Sequence, residues 1–318
     1  MSQLNLSQVR VVDPVLTSIA QGYKQSDMVG GALFPQVPVA QRAGNIITFG
    51  KEDFMLYATG RAPGENTRRV QFGYTGSPFS LVDYSLEGLA PIEVIQEGLA
   101  DANGWMINHM TLAANKVQAI MALRLEYQQA TLARTAASYQ AANKITLSGT
   151  SQWSDQTSGI SSPVAAIETG KEAVRAATGK RANTVVMGAA VFKSLKTHPL
   201  IVDRVKYTGR DIATPELLAS LFDVDRVLVG DAIYSNDAGT AFTDVWGKDV
   251  VVAYTNTASV AEMGAPSYGY TYNLGGYPIV EQPYMDRNAK SWIVPVTRSE
   301  APVIAAVNAG YLITNAVA

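Results

Sequence analysis

The chain has 318 residues, with 25 Lys and Arg against 27 Asp and Glu and a formal net charge of −2. It is long enough to build two lobes, and it lacks the basic excess of a protein that grips nucleic acid. Charged residues make up only 16% of it, against roughly a quarter in ordinary soluble domains, which predicts surface covered by partners. The absence of cysteine excludes a disulfide frame, a thiolate metal site and a cysteine nucleophile.

The first seven residues, Met1-Ser2-Gln3-Leu4-Asn5-Leu6-Ser7, lack the basic and apolar regions of a secretory signal, so export is not expected. Residues 1–30 hold a short helical pattern after Asp13-Pro14 through Leu16, Ile19 and Ala20, broken by Gly22, Gly30 and Gly31, and read as an extended arm. Phe34-Pro35-Gln36-Val37-Pro38-Val39 carries two prolines and is predicted as an edge or a surface segment, because proline cannot donate to a ladder.

Residues 42–74 hold the segment with the most to say. Asn45-Ile46-Ile47-Thr48-Phe49 and Val70-Gln71-Phe72-Gly73-Tyr74 each alternate with period two and predict the arms of an antiparallel hairpin. Between them lies a tip too long for a tight turn, bearing Lys51, Glu52, Asp53, Phe54, Tyr57, Arg61, Glu65, Arg68 and Arg69. A two-stranded hairpin is marginal alone in water, so its apolar residues require a covering surface. Mixed charge at the tip suits pairing with a neighbouring subunit better than holding phosphate.

Residues 79–86 read as a strand, and Pro91 as the start of a helix. Residues 104–137 contain no proline, and Met106, Met110, Ala113, Val117, Ile120, Met121, Leu125 and Leu132 recur at helical spacing, predicting one helix of roughly 45 to 50 Å. Its methionine stripe reads as core. A polar stretch over 143–162, with a short strand at 145–147, is followed by alternating helices and strands. Helices are expected at 163–177, with Ser162 as cap and Gly179 as stop, at 189–197, up to Lys206 after the His198-Pro199 break, and at 215–222 behind Thr214. Strands are expected at 183–188, 226–230 and 250–254, so this region is an α/β lobe. Further strands follow at 268–277, 279–282 and 292–297. The uncharged residues 301–318 are interrupted by Pro302, Asn308, Gly310, Thr314 and Asn315, and predict two buried strands in place of a membrane span.

Catalytic chemistry finds no foothold. The two histidines, His109 and His198, lie far apart. His198 with Asp203 would be a base and its orienter without an identifiable nucleophile. The Glu52-Asp53 and Asp223-Val224-Asp225 pairs lack calcium-loop spacing, and the glycine runs lack a phosphate-loop order. Catalytic, cofactor and metal residues are therefore expected to be none.

Leu33-Phe34-Pro35-Gln36-Val37-Pro38-Val39, Phe49-Gly50-Lys51-Glu52-Asp53-Phe54, Arg61-Ala62-Pro63-Gly64, Arg69-Val70-Gln71-Phe72-Gly73-Tyr74, and Lys180-Arg181-Ala182-Asn183-Thr184-Val185-Val186-Met187-Gly188 through Phe192, His198-Pro199 and Val205-Lys206-Tyr207, taken with the order of elements, resemble the tailed-phage major capsid protein family. The resemblance covers nearly the whole chain. It implies an α+β fold with an N-terminal arm and lead-in segment (1–41), an E-loop hairpin (42–78), a peripheral domain with a long spine helix (79–162), an axial α/β domain (163–277) and strands returning to the peripheral domain (278–318).

It also implies a virion shell assembled in the cytoplasm of a bacterial host, with pentamers and hexamers of the chain enclosing double-stranded DNA without sequence-specific contacts. Separate scaffolding, portal and decoration proteins would be its partners, since Met1 begins too close to the arm for a built-in scaffolding segment. Each E-loop would lie on the next subunit. Lys51 is the one candidate near the tip for a cross-link of the kind some family members form, but no matching asparagine and acid can be chosen, so no cross-link is expected. The alternatives are an encapsulin-like compartment around a cargo enzyme, which shares the fold, and, more remotely, a soluble hydrolase.

Overall fold

The computed structural model describes residues 28–48, 60, 64, 66, 69, 75–100, 109–157, 159–205, 213–235, 241–256 and 267–318. After the turn α1 (Gly30–Leu33) come β1 (Gln36–Val39), β2 (Ala43–Thr48), β3 (Thr75–Ser80) and β4 (Val82–Pro91), then helices α2 (Ile92–Ala100) and α3 (His109–Arg134). Next are β5 (Lys144–Thr146), α4 (Pro163–Thr178), β6 (Thr184–Gly188), α5 (Ala189–Thr197), α6 (Pro199–Val205), α7 (Pro215–Phe222) and β7 (Arg226–Gly230). The chain continues through β8 (Ile233–Ser235), β9 (Phe242–Asp244), β10 (Val250–Ala253), β11 (Gly269–Leu274), β12 (Ile279–Val280), β13 (Tyr284–Asp286), β14 (Ser291–Ile304) and β15 (Gly310–Thr314).

The first sheet is organised by β14. One of its edges runs antiparallel to β4 from Ser291↔Pro91 to Glu300↔Val82. The other meets β13, β12 and β11 in turn, and β1 lies parallel to β11 at the margin. The marginal place of β1 follows from Pro38, which has no N–H to offer a further strand. Helix α3 crosses this sheet, packing Ala114, Val117 and Met121 onto Val280, Val294 and Val296. The alanines and Gly88 permit the close approach: a Cβ on Gly88 would stand 3.0 Å from the Ala113 carbonyl oxygen.

The second sheet has the order β5-β15-β10-β6-β7. Val185, Met187, Val250, Val252 and Ile313 pack among residues of α4 to α7 on one face, while Val186, Val251, Ala253 and Leu312 pack on the other with Ala130 and Ala133 of α3. Burial on both faces explains why β6 reads as an unbroken apolar run without alternation. Gly188 ends that strand where a Cβ would lie 1.9 Å from the Gly247 backbone oxygen. Gly188→Ala should therefore force two backbones apart and lower stability by about 3 kcal/mol, measured by urea unfolding.

Several expectations are corrected. Ala43–Thr48 pairs with Thr75–Ser80, a stretch whose Gly76 and Pro78 hide a strand; Phe49 and residues 70–74 lie outside the described residues, as does the predicted arm pattern at 13–20. Pro91 is the last residue of β4, and the helix expected there starts one residue later, at Ile92. The long helix is described from His109 to Arg134, and a separate 3-10 turn takes Ala136–Ser138. Ser162 makes no side-chain cap bond to α4, where Pro163 already removes one orphan N–H; Gly179 ends that helix at φ 69° and Thr214 Oγ1 caps α7 by accepting the Leu217 N–H at 3.3 Å. The tail does form two strands, but β15 inserts between β5 and β10 of the second sheet and does not return to the first. β5, expected with the long helix, also belongs to the second sheet, and β11 belongs to the first.

Candidate functional site

The surface that the sequence singles out is the β2–β3 hairpin, paired from Ala43↔Ser80 to Thr48↔Thr75 and, among the described residues, with no other strand. Its root is fixed to the first sheet. The Leu81 N–H donates to the Arg42 carbonyl at 2.8 Å, the Arg42 guanidinium donates to Asp83 Oδ2 at 2.5 Å, and the Phe79 ring stacks on Tyr272 with centroids 4.4 Å apart. Leu81 is buried with Val37 and Tyr272 beneath it. Above this anchor Ala43, Asn45, Pro78 and Ser80 are exposed, so the ribbon leaves the core as soon as it is anchored. Of the predicted contact residues, Arg69 is exposed; Lys51, Glu52, Asp53, Phe54, Tyr57, Arg61, Glu65 and Arg68 lie outside the described residues.

What lies beneath is a junction that sequence reasoning missed. Glu126 of α3, 1% exposed, accepts the N–H groups of Val29 at 3.0 Å and Gly30 at 2.9 Å and the Trp246 Nε1–H at 2.7 Å. One carboxylate thus joins the N-terminal segment, the long helix and the second sheet. Burial raises its pKa, opposed in part by the bonds from Trp246, Gly30 and Val29. Four residues earlier in sequence than Gln128, Arg124 bonds the Gln128 side chain, donates to Glu300 Oε1 of β14 at 2.6 Å and lies over the Tyr84 ring at 3.2 Å. At the helix end Arg134 donates to Asp249 at 2.6 Å and to the Val245 carbonyl at 2.9 Å. The available signal was a charged residue in helical register with the apolar face: Glu126 precedes Ala130 and Ala133 by one and two turns.

The catalytic candidates stay apart. His198 is buried and its Nε2 lies 3.1 Å from Ser161 Oγ, while Asp203 is exposed on α6. Burial alone lowers the His198 pKa, so neutral imidazole is favoured in the fold. Stability should hold above pH about 6.5 and fall as pH drops below it, and His198→Gln should flatten that slope in thermal melts. Asp223 faces Lys171 and Arg181, at 3.4 and 3.7 Å, so it is an ion-pair acceptor beside a left-handed helix end. Among the described residues no group of three or more His, Asp or Glu could hold a metal ion, and no helix is long and apolar enough to cross a membrane.

The described residues thus form a core tied together by buried polar bonds and a ribbon anchored to it at its root. Comparison with known proteins gives the family. Residues 109–299 match the model of Phage major capsid protein E. The major capsid protein of Burkholderia phage BcepMu is 37% identical over 313 residues, covering 97% of this chain and 98% of that protein. The solved structure of a phage-related protein from Bordetella bronchiseptica RB50 is 40% identical with a TM-score of 0.82, covering 97% and 99%. The mature capsid of bacteriophage PhiM1 shares the fold at 12% identity and a TM-score of 0.51, covering 92% and 88%. The chain belongs to the phage major capsid protein E family, and its α+β fold is the phage capsid fold.

Proposed function

We propose that the chain is the shell-forming subunit of a tailed-phage head, assembling as pentamers and hexamers into an icosahedral shell around double-stranded DNA, in the cytoplasm of a bacterial host and without a catalytic step of its own. The observation that carries this reading is the anchored ribbon: Phe79 and Leu81 fix its root in the first sheet, while its strands pair only with each other among the described residues. It corresponds to the E-loop, with α3 as the spine helix, the first sheet as the peripheral domain and the second as the axial domain. Lys51, Glu52, Asp53, Phe54, Tyr57, Arg61, Glu65, Arg68 and Arg69 are its contacts to the next subunit. Head-to-tail contacts of this sort close into rings and shells.

Near-neutral charge suits a wall that faces DNA without reading it. Electron microscopy with light scattering on the purified protein tests the proposal. Closed particles or rings of five or six subunits are expected; a stable monomer at high concentration would sink it.

A further inference from the structure

A short helical turn cannot pair its first N–H groups or its last carbonyls internally, and around α1 those groups are met by three different parts of the fold. The Val29 and Gly30 N–H groups end on Glu126 of α3. The Ala32 carbonyl accepts Arg226 Nη2 of β7 at 3.2 Å, and the Phe34 carbonyl accepts the Thr271 hydroxyl of β11 at 3.1 Å. The long helix, an edge strand of the second sheet and a strand of the first sheet therefore all end on residues 29–34. The fit leaves little slack. Leu33 and Phe34 are fully buried, a Cβ on Gly269 would stand 2.5 Å from the Phe34 ring, and a Cβ on Gly30 would stand 2.2 Å from Gln129 Oε1. Gln129 is itself held, since its amide donates to Thr271 Oγ1 at 2.8 Å.

Arg226 is aimed at this turn by two buried hydroxyls. Its Nε donates to Thr184 Oγ1 and its Nη2 to Thr255 Oγ1, both at 2.9 Å. Helix α3 reaches the second sheet at another point, through Arg134 at Asp249, whose carbonyl accepts the Gly188 N–H. Arg226 stands beside Thr184 in the β6–β7 ladder, at the opposite end of β6 from Gly188, about 13 Å away at ~3.3 Å per residue. One polar tie on a packed face lets the sheet pivot about it; a second at the other end of the strands fixes the angle. We infer that residues 29–34 are a strap that holds the second sheet at one angle to the first, with Arg226 as the positioning residue that closes it, and that this angle sets the diameter of the closed particle. The last step rests on the proposed shell-forming role. Identical subunits close into one shell when the rotation between neighbours is fixed, and a subunit whose two sheets pivot presents its neighbours with more than one rotation.

Hydrogen exchange followed by mass spectrometry on unassembled subunits tests the strap, and electron microscopy of particles tests the angle. Arg226→Met keeps most of the side chain's length and removes its donors. Loss of that charged bond should speed exchange at the amides of Val29, Gly30 and Phe34 by about tenfold or more, with those of α4 and β14 unchanged. Gly30→Ala, which presses on Gln129 at the other end of the turn, should do the same. Wild type should close at one diameter and both variants at several. Val191→Ala, a cavity in the core beside the second sheet, should lower stability and still give one diameter. Exchange at residues 29–34 that is unchanged, or that rises evenly along the whole chain, overturns the strap. A freed strap in particles of a single diameter overturns the angle as what sets their size. Wild-type protein that forms no particles removes the shell reading itself and leaves the exchange result to decide the strap.

Discussion

Glu126→Ala is expected to lower the unfolding free energy by about 3–5 kcal/mol, because it leaves the buried Gly30 and Trp246 donors and the part-buried Val29 donor without their acceptor. The Val29, Gly30 and Trp246 N–H groups all end on this carboxylate, and Trp246 is fully buried. Glu126→Gln should cost less, since the amide keeps one acceptor oxygen, and the difference between the two variants reads the value of the oxygen that is kept. The pH dependence has a definite sign. Burial raises the Glu126 pKa above its ordinary 4.5, and burial also raises that of Glu300 despite Arg298 and Arg124. A carboxyl group that holds its proton more tightly folded than unfolded adds stability below about pH 4.5 that is lost as pH climbs through the higher folded value. Wild type should thus lose stability relative to Glu126→Gln as pH rises from about 4.5, in urea titrations at successive pH values. A difference between them that stays constant across that range would contradict the assignment.

Deletion of residues 55–66 is expected to leave a folded subunit and abolish closed shells or greatly weaken them. Among the described residues, the apolar clusters of both sheets are built without this segment, and the hairpin root is held by Phe79, Leu81 and the Arg42–Asp83 pair. Thermal unfolding should therefore move by only a few degrees, the shift of about 1 kcal/mol in a chain of this size. Particle formation, followed by light scattering and electron microscopy, should collapse. Wild-type assembly by the deletion protein would count decisively against the hairpin as an intersubunit arm.

How much of this could be read in the sequence depends on the range of the forces involved. Local signals served well where one element decides its own conformation. Thr214 before Pro215, Gly179 after α4 and the run Ala189–Thr197 each give a boundary that neighbours do not alter. The buried run in β6 was legible because burial on both faces leaves only apolar residues. The hairpin's existence was legible from alternation, but its described partner strand was not. Gly76 and Pro78 obscure β3, which is tolerated because a two-stranded ribbon leaves its outer edge open for the missing N–H.

The sequence by itself determined most of the helices, most of the strands and the apolar faces, since these follow from backbone preference and periodicity along a continuous stretch. Only the tertiary structure decided that β15 inserts beside β10 and that Glu126 gathers donors 96 and 120 residues distant. Strand order and polar pairing are settled by which surfaces meet after the chain has closed large loops, and that meeting leaves no periodic mark on the residues themselves.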